Sequence, residues 1–147
     1  MQSAKLTGIY LKRSHGGLMD EKNEATLETA KGLVGNADFG GRRQVTLLSE
    51  ERWNALMTEV GATLEPQARR ANLILSGIDL ENTRGQILRI GVCTLRINGE
   101  TRPCELMEEA ASGLQAAMRV HWGGGAYAEV VSGGPIAVGD VAAWTNW

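Results

Sequence analysis

The stretch GQILRIGVCTLRINGE (85–100) decides how the rest of the chain is read. It holds two strand-like runs, 86–90 and 92–97. Asn98-Gly99 follows as an expected turn. Cys93, Leu95 and Ile97 occupy alternate positions of the second run, so they share one face of that strand. On that face a buried structural thiol is the expected reading of Cys93.

Upstream, ANLILSGIDL predicts a strand over 72–76 ending in a turn, and KLTGIYLK predicts a first strand over 5–12. Between them, GLVGNADFGGRRQVTLLS runs from a glycine-rich loop into a strand over 43–48. Ser49 followed by Glu50 and Glu51 marks a helix start, a capping hydroxyl and then acids near the positive end of the dipole. That helix carries Trp53, Leu56, Met57 and Val60 on one face and stops near Gly61. The polar segment SHGGLMDEKNEATLETAKG reads as an excursion or mobile loop. Downstream, Leu106, Met107, Ala110, Ala111, Leu114, Ala117 and Met118 recur at helical spacing, predicting a second helix from about Cys104. Ser112 and Gly113 lower its propensity, so packing must stabilise it. Strands over 127–132, 135–138 and 140–144 complete the series. Many short strands with two inserted helices argue against a doubly wound parallel sheet. They predict a mainly β, barrel-like fold in a single domain over 1–147.

The 147 residues suffice for one substantial core, and 43% of them are hydrophobic, which excludes wholesale disorder. Fifteen basic against seventeen acidic residues leave a net charge of -2, without the basic excess of a nucleic-acid binder. No secretory signal and no membrane-length apolar run is evident, and two cysteines make no disulfide framework. A cytoplasmic protein with reduced thiols, no nucleic-acid partner and no membrane association is the expectation.

Cys104 is the leading chemical candidate. A thiolate is the reactive form, favoured near positive charge and helix N-termini. Arg102 precedes it by two residues, while Glu105, Glu108 and Glu109 oppose if they face the sulfur. The plain alternative is a small residue that fits there. Arg42-Arg43, Arg69-Arg70 and Arg102 stand at strand or helix beginnings; together they could converge at one barrel mouth, where guanidinium forks suit a phosphate or another oxyanion, while each taken singly reads as a solvated surface arginine. His15 and His121 are too few and too far apart for a tetrahedral zinc site. His121, just before Gly123–Gly125, is a candidate for a pocket wall or a hydrogen-bonding residue. No P-loop, GxGxxG or GxSxG pattern is present.

Taken in order, GLVGNADFGGRRQVTLL (32–48), RRANLILSGIDL (69–80), GQILRIGVCTLRING (85–99), RPCELM (102–107) and GGGAYAEVVSGGPIAVGD (123–140) resemble the MOSC family, named for the C-terminal domain of molybdenum cofactor sulfurase. The likeness covers core motifs over about 30–144. It implies a β-barrel-like, pyruvate-kinase-barrel-like domain that handles sulfur on one cysteine, which Cys104 matches by position. Two functions are implied. One is a sulfur carrier or transferase that accepts sulfur as a persulfide on Cys104 and delivers it to a metal-sulfur centre or the molybdenum cofactor. The other is a molybdopterin-binding module with Cys104 as metal ligand. A non-catalytic interaction domain is the third reading. Arg43, Arg70 and Asn72, with Arg102, are the implied contacts to the pterin's phosphate. A pyridoxal-phosphate-dependent cysteine desulfurase is the implied sulfur donor and a molybdoenzyme or metal cluster the acceptor. No pyridoxal-phosphate motif stands in this chain, so that cofactor is expected on the donor. One departure is Gly35-Asn36, where relatives carry Gly-Asp, with Asp38 nearby; a role for that acid is lost here or has moved.

Overall fold

A computed structural model describes residues 4–14 and 17–145. Its strands are β1 (Ala4–Lys12), β2 (Met19–Lys22), β3 (Glu24–Glu28), β4 (Gly32–Leu33), β5 (Val45–Ser49), β6 (Leu73–Ser76), β7 (Ile87–Ile90), β8 (Cys93–Glu100), β9 (Ala126–Ser132), β10 (Gly134–Ala137) and β11 (Val141–Thr145). Helices α1 (Glu50–Val60), α2 (Glu105–Ala110) and α3 (Leu114–Ala117) and a 3-10 turn (Pro66–Arg69) join them. Seven strands close a barrel in the order β11-β7-β8-β9-β5-β6-β1, with β1 returning to β11. The seam is short: Ala4 pairs with Ala142 and Lys5 with Val141. Beyond it β1 pairs with β2, from Ile9↔Lys22 to Lys12↔Met19. The fold is thus the mainly β barrel that the strand series predicts.

Every neighbouring pair in the barrel is antiparallel except β5 and β6. A parallel pair needs a crossover of a dozen residues or more, and α1 with the 3-10 turn supplies it. Ser49 caps α1 by accepting from the Arg52 N–H at 3.2 Å, and Gly61 ends it in the left-handed region with φ 70°. Trp53 donates its indole N–H to the Leu64 carbonyl at 2.8 Å, holding the returning chain against the helix.

Strand alternation divides the apolar residues between two cores. Leu47, Leu73 and Leu75 face the barrel interior with Leu6, Ile9, Leu88, Leu95 and Val130. Leu48 and Ile74 face outward and are covered by Trp53, Leu56 and Met57 of α1, Met107 of α2, and Leu114. β5 is therefore buried along its whole length, VTLLS. This second core seats α2, and with it Cys104, against the outer face of β5 and β6.

Three expectations are corrected. The segment read as an excursion forms β2 and β3. Its signal is weak because only alternate residues can face inward, and of EATLE only Leu27 is fully buried. With β4 and β10 it makes a small second sheet, order β10-β3-β4, whose Leu27, Leu33 and Ile136 join the barrel core. Asn98-Gly99 is not a turn. It lies within β8 at a register shift between Ile97 and Gly99, where the Tyr127 ring lies across the glycine. The second predicted helix is two. Gly113, at φ 85°, breaks it, and Ala111 is already extended.

Candidate functional site

Cys104 is exposed and opens on a cavity of about 240 Å³. Arg43, Arg69, Arg70 and Lys12 line the same cavity, with Leu106 and Met107 as an apolar wall. Two of the three predicted basic sites therefore converge, although they arrive from the segment before β5 and from the turn before β6. Arg70 reaches the cavity from a left-handed residue, φ 67°, that closes the 3-10 turn with its N–H donating to Gln67 O at 2.9 Å. Arg43 lies over the Tyr127 ring, 5.9 Å from its centroid.

Arg69 holds the site together. Its Nε donates to the Gly124 carbonyl at 3.0 Å, and Nη2 donates to the carbonyls of Arg102 at 3.2 Å and Thr101 at 3.4 Å. One guanidinium thus ties the segment leading to Cys104 to the Gly123–Gly125 loop. Gly124 permits this approach: a Cβ there would stand 2.0 Å from Thr101 O and 3.2 Å from Arg69 Nη2. Burial holds Arg69 below the ordinary arginine range; the Cys104 sulfur pulls it back up, and Arg43 pushes it further down. No carboxylate is among its partners.

The charge near the sulfur comes from these side chains. α2 has only six residues and a correspondingly small dipole, and Cys104 is its N-cap residue without a side-chain capping bond. Glu108, one of the three opposing acids, is engaged elsewhere: it accepts from the N–H groups of Gly113 at 2.9 Å and Gln115 at 3.3 Å. Arg102 does not join the cavity. Its carbonyl serves Arg69, while its side chain lines a separate surface pocket with Glu100, Pro103 and Arg119. Two residues of separation therefore do not bring the Arg102 side chain to the cavity of Cys104.

Asn72 is 2% exposed and its amide is fully used. Oδ1 accepts from the Thr46 N–H and hydroxyl, both at 3.1 Å, and Nδ2 donates to Tyr10 O at 3.0 Å and Asn36 Oδ1 at 3.1 Å. Asn72 is a knot between β1, β5 and β6. Asn36 belongs to the same knot: its Oδ1 accepts from the Lys12 N–H at 2.8 Å, and its Nδ2 donates to Asp38 O at 2.7 Å. An aspartate at position 36 has no N–H to give Asp38 O, so the asparagine matches this loop's needs. Asp38 accepts from Lys12 Nζ at 2.9 Å. A second cleft, about 560 Å³, continues from the first through Lys12, Arg43 and Thr46 to the Gly40-Gly41 loop, with Asn72 at its floor.

Cys93 is fully buried in the barrel core, as its alternation predicts, and burial first and then Asp140 push its thiol up. His121 is exposed, with Nδ1 3.0 Å from Glu81 Oε2, and is not among the cavity residues. His15 lies outside the described residues. Among the described residues, no three or more His, Cys, Asp or Glu side chains converge as a metal cluster. No helix is long and apolar enough to cross a membrane. Sequence reasoning missed Lys12, Thr46 and Thr101 as cavity residues and the clamp made by Arg69. The one available signal was Gly123–Gly125, a triplet that lets another backbone come close.

A profile of the MOSC domain matches residues 12–143. Among solved structures, the YuaD protein of Bacillus subtilis superposes with TM-score 0.81 at 20% identity, over 99% of this chain and 98% of that one. YiiM of Geobacillus stearothermophilus gives TM-score 0.73 at 15% identity, over 97% and 75%. YiiM of Escherichia coli gives 0.72 at 17%, over 97% and 70%. At these identities the structural likeness speaks for the fold. No curated protein matches the sequence significantly. With the barrel closed, the cysteine and arginines on one cavity and the profile spanning most of the chain, the protein belongs to the MOSC domain family.

Proposed function

We propose that this protein is a cytoplasmic, single-domain sulfur carrier that accepts sulfur as a persulfide on Cys104. The observation that carries the reading is the exposed Cys104 thiol on the same cavity as Arg43, Arg69, Arg70 and Lys12. In the loading step the Cys104 thiolate attacks the outer sulfur of a donor's persulfide. The donor's S–S bond breaks and its thiolate leaves, as expected of a pyridoxal-phosphate-dependent cysteine desulfurase as donor. In delivery an acceptor nucleophile takes that outer sulfur and Cys104 leaves as thiolate. The acceptor is a metal-sulfur centre or the molybdenum cofactor of a partner enzyme. The arginines favour the anionic sulfur in both steps. Incubation with a cysteine desulfurase and cysteine, followed by intact-protein mass measurement, is expected to add one sulfur to wild type and none to Cys104→Ser. No addition to wild type, or equal addition to the variant, overturns the reading.

A second reading is favoured by the continuity of the cavity with the larger cleft through Lys12, Arg43 and Thr46. Molybdopterin would be held there, with its phosphate on Arg43 and Arg70 and Cys104 as soft thiolate ligand; when bound, the metal would supply redox and sulfur-transfer chemistry. The residues fit an anionic ligand, since the arginines of the cavity have no carboxylate partner among the described residues. Pterin fluorescence and molybdenum content after expression in a host that makes the cofactor test it. Pterin retained in Cys104→Ser but lost in Arg70→Ala supports holding; its absence from wild type overturns it. As an interaction domain without thiol chemistry, the protein would show Cys104 alkylation no faster than a model thiol.

A further inference from the structure

We propose that Cys104 also takes sulfur from a small dianionic sulfane donor of the thiosulfate class, seated on Arg43, Arg69 and Arg70. This rests on the sulfur-carrier reading and names a second donor for the same site.

The cavity carries positive charge that the protein leaves uncompensated. Of its four cations, only Lys12 has a carboxylate partner among the described residues. Among the described residues, the Arg70 side chain makes no hydrogen bond or ion pair, and Arg43 rests only on the Tyr127 ring. Arg69 gives Nε and Nη2 to three backbone carbonyls, which leaves the two hydrogens of Nη1 without a protein partner. Thr101 also lines the cavity, but its hydroxyl oxygen is buried, so the free donors that face a ligand are those of the arginines. Cationic forks around a space of about 240 Å³ suit a compact oxyanion. A thiol in the same space suits an oxyanion that carries a transferable sulfur.

The chemistry closes without a further reactant. The Cys104 thiolate attacks the outer, sulfane sulfur of thiosulfate. A new S–S bond forms to Cys104 as the S–S bond of thiosulfate breaks, and its electron pair departs with sulfite. A thiolate and a dianion become a persulfide anion and a sulfite dianion, so atoms, charge and electrons balance. The arginines offset the repulsion between dianion and thiolate on approach and then hold the leaving sulfite.

The test offers thiosulfate to the reduced full chain and follows sulfite release and intact mass. Wild type is expected to gain one sulfur and release one equivalent of sulfite, and Cys104→Ser to do neither. Arg43→Gln, at an exposed position, is expected to lower the rate with thiosulfate about tenfold relative to the rate with a neutral dialkyl trisulfide, and Arg70→Gln to act in the same direction. Inorganic phosphate is expected to compete with thiosulfate and not with the trisulfide. Arg89→Gln, outside the cavity, is expected to leave the ratio unchanged. If a desulfurase loads Cys104 and thiosulfate does not, the donor inference falls and the carrier reading stands. If nothing loads Cys104, both fall. If thiosulfate loads it but Arg43→Gln and Arg70→Gln keep the wild-type ratio, the proposed seat is overturned.

Discussion

Asn72 shows how a polar residue beside a cavity can be structural. Its four side-chain bonds join three strands and the Asn36 loop. Asn72→Ala takes away the acceptor of the buried Thr46 N–H and hydroxyl and the side-chain donor to Tyr10 O at once, so a loss of about 3 kcal/mol is expected in urea denaturation. A residue that served only a ligand would lose binding and keep its stability. Gly124→Ala is expected to cost about 2–3 kcal/mol, because its Cβ meets Thr101 O and displaces the Arg69 clamp. The two thiols should separate cleanly. Cys104 is exposed and Cys93 fully buried, so one thiol per native chain is expected to react with an alkylating agent, and two after denaturation. Cys93 also carries a pH signature. Its folded thiol is raised above 9.0, so between that value and its folded value the unfolded chain loses a proton that the native chain keeps. Stability therefore falls as pH rises through that window, and Cys93→Ala is expected to flatten the fall in urea midpoints measured across it.

At the scale of elements, α1 behaves as an autonomous instruction and α2 with α3 does not. The cap pair Ser49 and Gly61 brackets an eleven-residue helix whose buried face is Trp53, Leu56 and Met57. Ser49→Ala is expected to lower stability by about 1 kcal/mol in urea denaturation. The α2–α3 pair follows one apolar periodicity but is divided at Gly113, and Glu108 on the first helix caps the second. The division lets Met107, Leu114 and Met118 all reach the outer core, while Leu106 stays at the cavity wall.

Across the whole molecule, closure of the barrel places the site. β5 and β6 are parallel neighbours only because α1 crosses between them. That crossing brings Arg43, before β5, and Arg69-Arg70, before β6, to the same end of adjacent strands. β8 and β9 meet that end through Thr101 and Gly124. The seam between β1 and β11 rests on two paired positions, and Ala142 is 3% exposed there, between Ala4 and Ile90. Ala142→Asp would bury a carboxylate against two strands, and a cost on the order of 4 kcal/mol is expected from urea denaturation.

Strong local patterns were legible along the chain. Alternation in Cys93, Leu95 and Ile97, the apolar run before Gly77, and the caps of α1 each depend on neighbours within one element, and the barrel class follows from their number and spacing. Arg43, Arg70 and Cys104 were legible as candidates because their residue types and positions before strands or a helix are local facts. Tertiary structure alone decided the rest. Polar β2 and β3 become strands because partners supply their hydrogen bonds, and the Asn98-Gly99 signal yields to the β9 ladder. Arg102 lines a separate pocket, Asn72 closes on the protein itself, and Lys12, Thr46 and Thr101 enter the site from elements far apart in sequence. A hydrogen-bond partner, a cavity wall or an unpaired charge is a relation between residues brought together by closure, and no single segment carries that information.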